Sequence, residues 1–313
     1  MRAIVAALIV AVLAPAAHAG MASVGMPVMG TVLEVTVVAA DDVTARRLAD
    51  AAIAEARRWD DVLSTWREDA ELARFNARAG SGPVAVSATL AAALSRMQAL
   101  SAATGGSFDP VSGALSRHWR EEHPGTPARI VDAQRHRIAR ALTLQGQSAA
   151  LAQGTAVDSG GIGKGMALDA IATMLRAGAA TSAFLDFGGS SQLAIGAPPA
   201  SPQGWKVVVA GLVPGDVAGM LLLRDRSIST SRAIGAGKAG PILDPEVAAP
   251  VPPPRVATVV AADATTAEAW SKVAIIQGRA SIERAAKLGV EVFYEDTAGP
   301  ARSPTLLLEA LPD

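Results

Sequence analysis

The residues best suited to chemistry lie in segment 157–169, which reads Val-Asp-Ser-Gly-Gly-Ile-Gly-Lys-Gly-Met-Ala-Leu-Asp. Gly160, Gly161, Gly163 and Gly165 crowd around Lys164, and Met166, Asp169, Ile171, Met174 and Leu175 follow at helical spacing. Glycine permits left-handed backbone and lets another backbone or a ligand come close. At a helix start such a loop collects unpaired N–H groups and the positive end of the helix dipole, an arrangement that suits phosphate. Lys164 adds a mobile positive charge. The segment reads as a phosphate cradle or as a tight strand–helix turn. Gly161-x-Gly163-x-Gly165 departs from the G-x-G-x-x-G fingerprint, which argues against a Rossmann dehydrogenase.

The surrounding pattern shows what must position this loop. Residues 31–39 alternate and are rich in β-branched side chains, predicting a strand. Asp41 or Asp42 can cap a helix to about Leu63, and Ser87 a second one to about Ala103, stopped by Gly105-Gly106. Residues 120–152 are polar and read as a surface excursion. After the loop helix, strands are predicted at 183–187, 192–195, 205–210, 220–224 and 227–229. The proline-rich segment 241–254 predicts no regular structure. A strand at 255–262, helices at 265–277 and 281–288, and strands at 290–294 and 305–308 complete the pattern. Helices and strands mix without strict βαβ alternation, so the predicted class is α+β, with mixed or antiparallel sheets and packed helices.

Composition narrows the partners. Met1-Arg2, an apolar run over 3–13 and Ala17-His18-Ala19 form a signal-peptide pattern, placing the mature N-terminus at Gly20. Two units follow: a signal peptide over 1–19 and one domain over 20–313. The apolar run is too short for a permanent span, so no stable membrane insertion is expected. There is no cysteine, so an exported domain must be held by its core rather than by disulfides. The formal net charge is −1, with no basic block and few aromatics, which argues against nucleic acid. Neither a G-x-S-x-G elbow nor a His-rich metal spacing is present.

Taken in order, short stretches across 29–278 resemble the ApbE family of flavin transferases. They are Met29-Gly30-Thr31, Leu63-Ser64-Thr65-Trp66, Glu71-Leu72-Ala73-Arg74-Phe75-Asn76 and Gly106-Ser107-Phe108-Asp109-Pro110. The glycine loop, Asp186-Phe187-Gly188-Gly189, Ser229-Thr230-Ser231, Ile242-Leu243-Asp244-Pro245 and Ala267-Glu268-Ala269-Trp270 continue the series. The resemblance implies two closely associated lobes and an exported, periplasmic enzyme that takes FAD as substrate with a divalent metal, Mg2+. Such an enzyme moves FMN onto a threonine of an acceptor flavoprotein, a membrane-bound redox subunit, and releases AMP.

Residue by residue, it implies flavin or phosphate contacts for Met29, Trp66, Ser107, Phe108, Asp109, Gly160, Gly161, Lys164, Met166 and Ile242. It implies metal contacts for the carbonyl of Gly163, for Glu268 and for Ser271, and catalytic roles for Asp244 and Lys272. Each position also has a plainer reading. Met29 and Trp66 can be core residues, Ser107 to Asp109 a helix stop and turn, and Asp158 and Asp186 local caps.

Three departures fall in the C-terminal half. A histidine that the family carries before Ile-Asp-Pro is replaced here by Gly240 or Pro241. Asp244-Pro245 is followed by Glu246-Val247-Ala248-Ala249-Pro250 rather than Thr-Gly-x-Pro. The metal motif Ala-Asp-Ala-x-x-Thr reads Ala267-Glu268-Ala269-Trp270-Ser271-Lys272. Glutamate still offers oxygen, whereas lysine offers only donors. Either the metal site is weakened or lost, or Lys272 takes over part of the neutralisation of the phosphates. The expected function is FMN transfer. The alternatives are a flavin-binding carrier without transfer and an FAD pyrophosphatase that yields FMN and AMP.

Overall fold

A computed structural model describes residues 19–120, 138–233 and 242–310. The signal-peptide pattern over 1–18, His123, His136, Gly240 and Pro241 lie outside the described residues. In chain order the strands are β1 (Gly20–Val28), β2 (Thr31–Ala39), β3 (Val84–Ala85), β4 (Leu142–Gln145), β5 (Ser148–Leu151), β6 (Ser182–Phe187), β7 (Ser191–Ile195) and β8 (Trp205–Ala210). They continue as β9 (Val217–Leu223), β10 (Ser227–Ala233), β11 (Leu243–Asp244), β12 (Ala249–Pro250), β13 (Arg255–Ala261), β14 (Glu291–Asp296) and β15 (Gly299–Arg302). The helices are α1 (Asp42–Leu63), α2 (Glu71–Ala77), α3 (Ala88–Ala103), α4 (Gly113–Arg120), α5 (Ile138–Ala141), α6 (Gly163–Ala177), α7 (Ala264–Gln277) and α8 (Ser281–Ala286).

The backbone of the fold is one eight-stranded sheet in the order β1-β2-β6-β7-β10-β13-β14-β15. All its pairs are antiparallel. Central strand β13 is buried along nearly its whole length, as expected of a strand covered on both faces. The class is therefore α+β with antiparallel sheets, as its sequence pattern predicts.

Two cores lie against the helices. One gathers α3, α7 and β13 around Trp270, Met97 and Leu94. The other packs α1 and α6 onto β2 and β6 through Leu48, Ile53, Leu168 and Leu185. Trp59 of α1 packs against both, so the two cores share a boundary. A third, smaller core forms where β8 and β9 pack Val207, Val209 and Leu223 against Ile228, Val256 and Phe293.

The predicted caps hold the helices in place. Asp41 accepts the Thr44 N–H at 2.7 Å, and Ser87 accepts the Leu90 N–H at 3.1 Å.

Three expectations need correction. Within the supposed surface excursion, β4 and β5 join β3 in a three-stranded sheet that buries Leu142 and Leu151. The proline-rich segment holds a two-residue ladder, β11 with β12, because Pro250 sits where its missing N–H costs little. Residues 305–308 form no strand; Leu306 is buried in the third core and only Glu309 bridges, to Met220. The strand in that region is β15, before them. β1 also lies outside the sequence pattern. It is an edge strand of mixed, half-exposed residues joined to β2 by Met29-Gly30, both at positive φ.

Candidate active site

The site is built where the N-termini of α6 and α7 cross. A Cβ on Gly165 would stand 2.6 Å from the Ala264 carbonyl oxygen, so the two helices meet backbone to backbone. None of the four loop glycines has a positive φ. Gly165 is required for space rather than for left-handed conformation.

Asp169 of α6 accepts the Ala264 N–H at 2.7 Å and the Thr265 N–H at 2.9 Å, and it also accepts the Thr265 hydroxyl. Asp263 takes the Thr266 N–H at 2.8 Å. Two carboxylates thus satisfy the orphan donors of α7. Burial raises the Asp169 pKa above the usual carboxylate value, against the pull of these bonds and with added repulsion from Asp263.

Glu268 lies one turn into α7 and is fully buried. Its Oε2 accepts the Gly165 N–H at 2.7 Å, and its Oε1 accepts the Ser191 hydroxyl at 2.6 Å. The Lys164 ammonium stands 3.8 Å from Oε1 and donates to Ser190 Oγ at 2.6 Å. Ser271 is equally committed. Its hydroxyl donates to the Glu268 carbonyl at 2.8 Å and lies 2.8 Å from Ser231 Oγ and 3.2 Å from Ser229 Oγ.

Lys272 follows at i+4 from Glu268, on the same helix face. It is half-buried at a cavity wall. Burial pushes its pKa down to about 8; the Glu268 carboxylate opposes this shift and the Lys164 cation adds to it.

The loop is pinned from three sides. Asn76 of α2 grips Val157 twice, through its Nδ2 to the carbonyl and its Oδ1 to the N–H, both at 2.8 Å. Ser159 donates to the Leu63 carbonyl at the end of α1, at 2.6 Å. The Asp158 N–H donates to the Pro110 carbonyl at 2.7 Å. In this frame a cavity of about 310 Å³ opens between the glycine loop, the 107–112 turn, β10, α7 and the 242–245 segment.

Seven expected site residues line this cavity: Ser107, Phe108, Asp109, Gly160, Gly161, Ile242 and Lys272. Lys164, Gly163, Glu268 and Ser271 form the layer behind its wall. Asp109 also has a structural task, since its carboxylate accepts the Val111 and Ile138 N–H groups. Asp158 accepts the Gly160 N–H, and Asp186 accepts the Gly189 N–H and the Gln192 amide, so both act as turn caps.

Four other positions fall elsewhere. Met166 is buried in the core and does not line the cavity. Asp244 accepts the Glu246 N–H while its neighbours Leu243 and Pro245 face the cavity. Trp66 is 77% exposed rather than a core tryptophan. Met29 is half-buried, its Cε 3.4 Å from where a Gly163 Cβ would be.

Sequence reasoning left out Asn76, Ser190, Ser191, Ser229 and Ser231 as site residues. A usable signal was present for one pair: Ser229 and Ser231 alternate on a strand, so both point to the same side.

The donor set does not suit a divalent cation. Hard cations take several oxygens, carboxylates first. Here one carboxylate has both oxygens engaged by protein donors, with an ammonium beside it and a second lysine on the next turn. No group of three or more His, Cys, Asp or Glu able to hold a metal occurs among the described residues.

The family model described as "ApbE family" matches residues 29–294. The chain belongs to the ApbE family. A Treponema pallidum protein named FAD:protein FMN transferase is 36% identical over 141 residues, covering 41% of this chain and 39% of that relative. A Klebsiella pneumoniae protein of the same name is 25% identical over 264 residues, covering 78% of this chain and 75% of the relative.

Solved ApbE structures share the fold. The apbe protein of Thermotoga maritima superposes with a TM-score of 0.81 at 22% identity, covering 91% of this chain and 97% of its own. The flavinyl transferase ApbE of Pseudomonas stutzeri, in its apo form, gives 0.79 at 21%, covering 91% and 94%. The flavin transferase ApbE of Vibrio cholerae gives 0.78 at 20%, covering 92% and 98%.

Proposed function

We infer that this protein is an exported FAD:protein FMN transferase. One observation carries the reading: the Phe108–Asp109 turn, Gly160, Gly161, Ile242 and Lys272 line a single cavity in a chain of the ApbE family. Preorganised donors and cations beside a pyrophosphate stabilise the charge that develops when another oxygen attacks it.

In this reading an acceptor threonine presents its hydroxyl oxygen to the FAD phosphorus nearer the flavin. A new O–P bond joins FMN to the acceptor, the P–O bond to the AMP phosphate breaks, and AMP leaves with the electron pair. The hydroxyl proton passes to the half-buried Asp158 carboxylate at the cavity wall. Ser107 and Phe108 position the nucleotide, and Lys164 holds Glu268 and Ser190 in place behind the loop. Magnesium, which the family resemblance implies, meets an engaged donor set, so no step is routed through it.

The acceptor in this reading is a membrane-bound redox protein facing the periplasm, which agrees with the signal-peptide pattern. No helix among the described residues is long and apolar enough to cross a membrane.

A second reading, a flavin-binding relative without transfer, is favoured by Gly240-Pro241 where the family has histidine and by Lys272 in the metal motif. The deciding experiment incubates residues 20–313 with FAD and a family acceptor domain, then denatures the mixture and images flavin fluorescence in the gel. Fluorescence on the acceptor band supports transfer. FAD bound and released intact supports the second reading. Free FMN and AMP without acceptor indicate hydrolysis by water.

A further inference from the structure

We propose that the Lys272 ammonium, one helical turn from Glu268, stands in for the divalent cation of this site and meets the flavin-nucleotide pyrophosphate directly. The proposal rests on the flavin reading above and concerns how this chain neutralises its substrate.

Geometry carries the argument. Glu268 and Lys272 are one helical turn apart on the face of α7 turned toward the start of α6. The Lys272 Cε lies 3.9 Å from where a Cβ on Gly161 would be, so the side chain runs across the open face of the glycine loop. It lines the cavity together with Gly160 and Gly161.

Glu268, the carboxylate of the metal motif, is spent on holding protein donors. Its oxygens take the Gly165 N–H and the Ser191 hydroxyl, with Lys164 3.8 Å away. Ser271, the neighbouring oxygen, is tied to Ser231 and to the Glu268 carbonyl. A cation placed among them would displace these bonds and face two ammonium groups. Without a metal the same residues form a charge triad of two lysines and one carboxylate, net positive and open to the cavity through Lys272. Lysine acts on phosphate as a compact point charge with three donors.

A structural ion pair between Lys272 and Glu268 would give the same fold but no role toward ligand, and the test separates the two. The protein over residues 20–313 is compared with Lys272→Met, Lys272→Arg and the double variant Glu268→Asp with Lys272→Thr, each checked for a single cooperative melt. Two probes are used: Mn2+ alone, followed by electron paramagnetic resonance, and FAD in EDTA, followed by quenching of flavin fluorescence.

The expected result is no stoichiometric Mn2+ uptake by the unsubstituted chain and FAD binding indifferent to EDTA. Lys272→Met should weaken FAD by about ten- to hundredfold, the range for losing a charged hydrogen bond. Lys272→Arg should recover part of that loss. The double variant should take up Mn2+ and bind FAD only with metal present.

One tightly held Mn2+ on the unsubstituted chain overturns the proposal and leaves the flavin reading intact. So does FAD affinity unchanged in Lys272→Met. FAD bound by no variant, with or without metal, overturns the flavin reading and this proposal together.

Discussion

Glu268 Oε2 accepts the backbone N–H of Gly165 at 2.7 Å, across the crossing of two helices 103 residues apart in sequence. This bond places a buried carboxylate at the positive end of α6, where the dipole favours it. The charge the loop offers a ligand is therefore partly used inside the protein, and Lys272, unlike Lys164, lines the cavity.

Removing this carboxylate should be costly. Glu268→Ala leaves the Gly165 N–H, the Ser191 hydroxyl and the Lys164 ammonium short of a buried acceptor. A buried group left unsatisfied costs roughly 1–3 kcal/mol, more when charged. Urea denaturation of the variant should show a loss at or above that range. Glu268→Gln should lose less, because it keeps one acceptor oxygen.

The loop glycines should separate into two classes. Gly165→Ala drives a Cβ to within 2.6 Å of the Ala264 oxygen and should cost about 1–3 kcal/mol or more through overpacking of the helix pair. At Gly161 the nearest atoms are the Phe108 ring at 3.5 Å and Lys272 Cε at 3.9 Å, ordinary contact distances. Gly161→Ala should fold normally and weaken FAD binding by filling the cavity. Thermal melts and FAD titrations of the two variants give the comparison; equal melting temperatures would contradict it.

Stability should depend on pH through Lys272. Its folded pKa, about 8, lies below the ordinary 10.5 because burial disfavours the cation. The unfolded chain therefore holds more protons between these values, and stability rises with pH across that window. Below pH 8 the buried charge exerts its full cost. Denaturation of Lys272→Met from pH 7 to 10 should show less of this rise than the unsubstituted chain, and an identical slope would rule the assignment out.

Trp66 offers a test free of folding effects. At 77% exposure its replacement by alanine should change unfolding free energy by no more than about 0.5 kcal/mol. If its ring is the stacking face for the isoalloxazine, Trp66→Ala should lose flavin quenching while the melt stays put.

Much of this arrangement is legible in the sequence where local physics dominates. Asp41 and Ser87 announce their helices because a capping side chain acts within three residues. The glycine loop is visible because it concentrates four glycines and a lysine. What is not legible depends on partners distant in sequence. β1 carries no prediction from the sequence, and pairing with β2 along 20–28 makes it a strand. The commitment of Glu268 to Gly165 and Ser191, or of Asp169 to Ala264 and Thr265, needs two helices to cross first. Family resemblance located the metal motif, but only the side-chain partners show that its oxygens are already engaged.

The backbone contact between Gly165 and Ala264 also governs how the site can move. With no side chain between them to act as a cushion, α6 and α7 have no room to slide or rock against each other. The Asp169 cap locks the same joint a turn further on. Any widening that admits a nucleotide or an acceptor segment must therefore come from the opposite wall, the 107–112 turn and the short β11 segment, swinging against a fixed jaw.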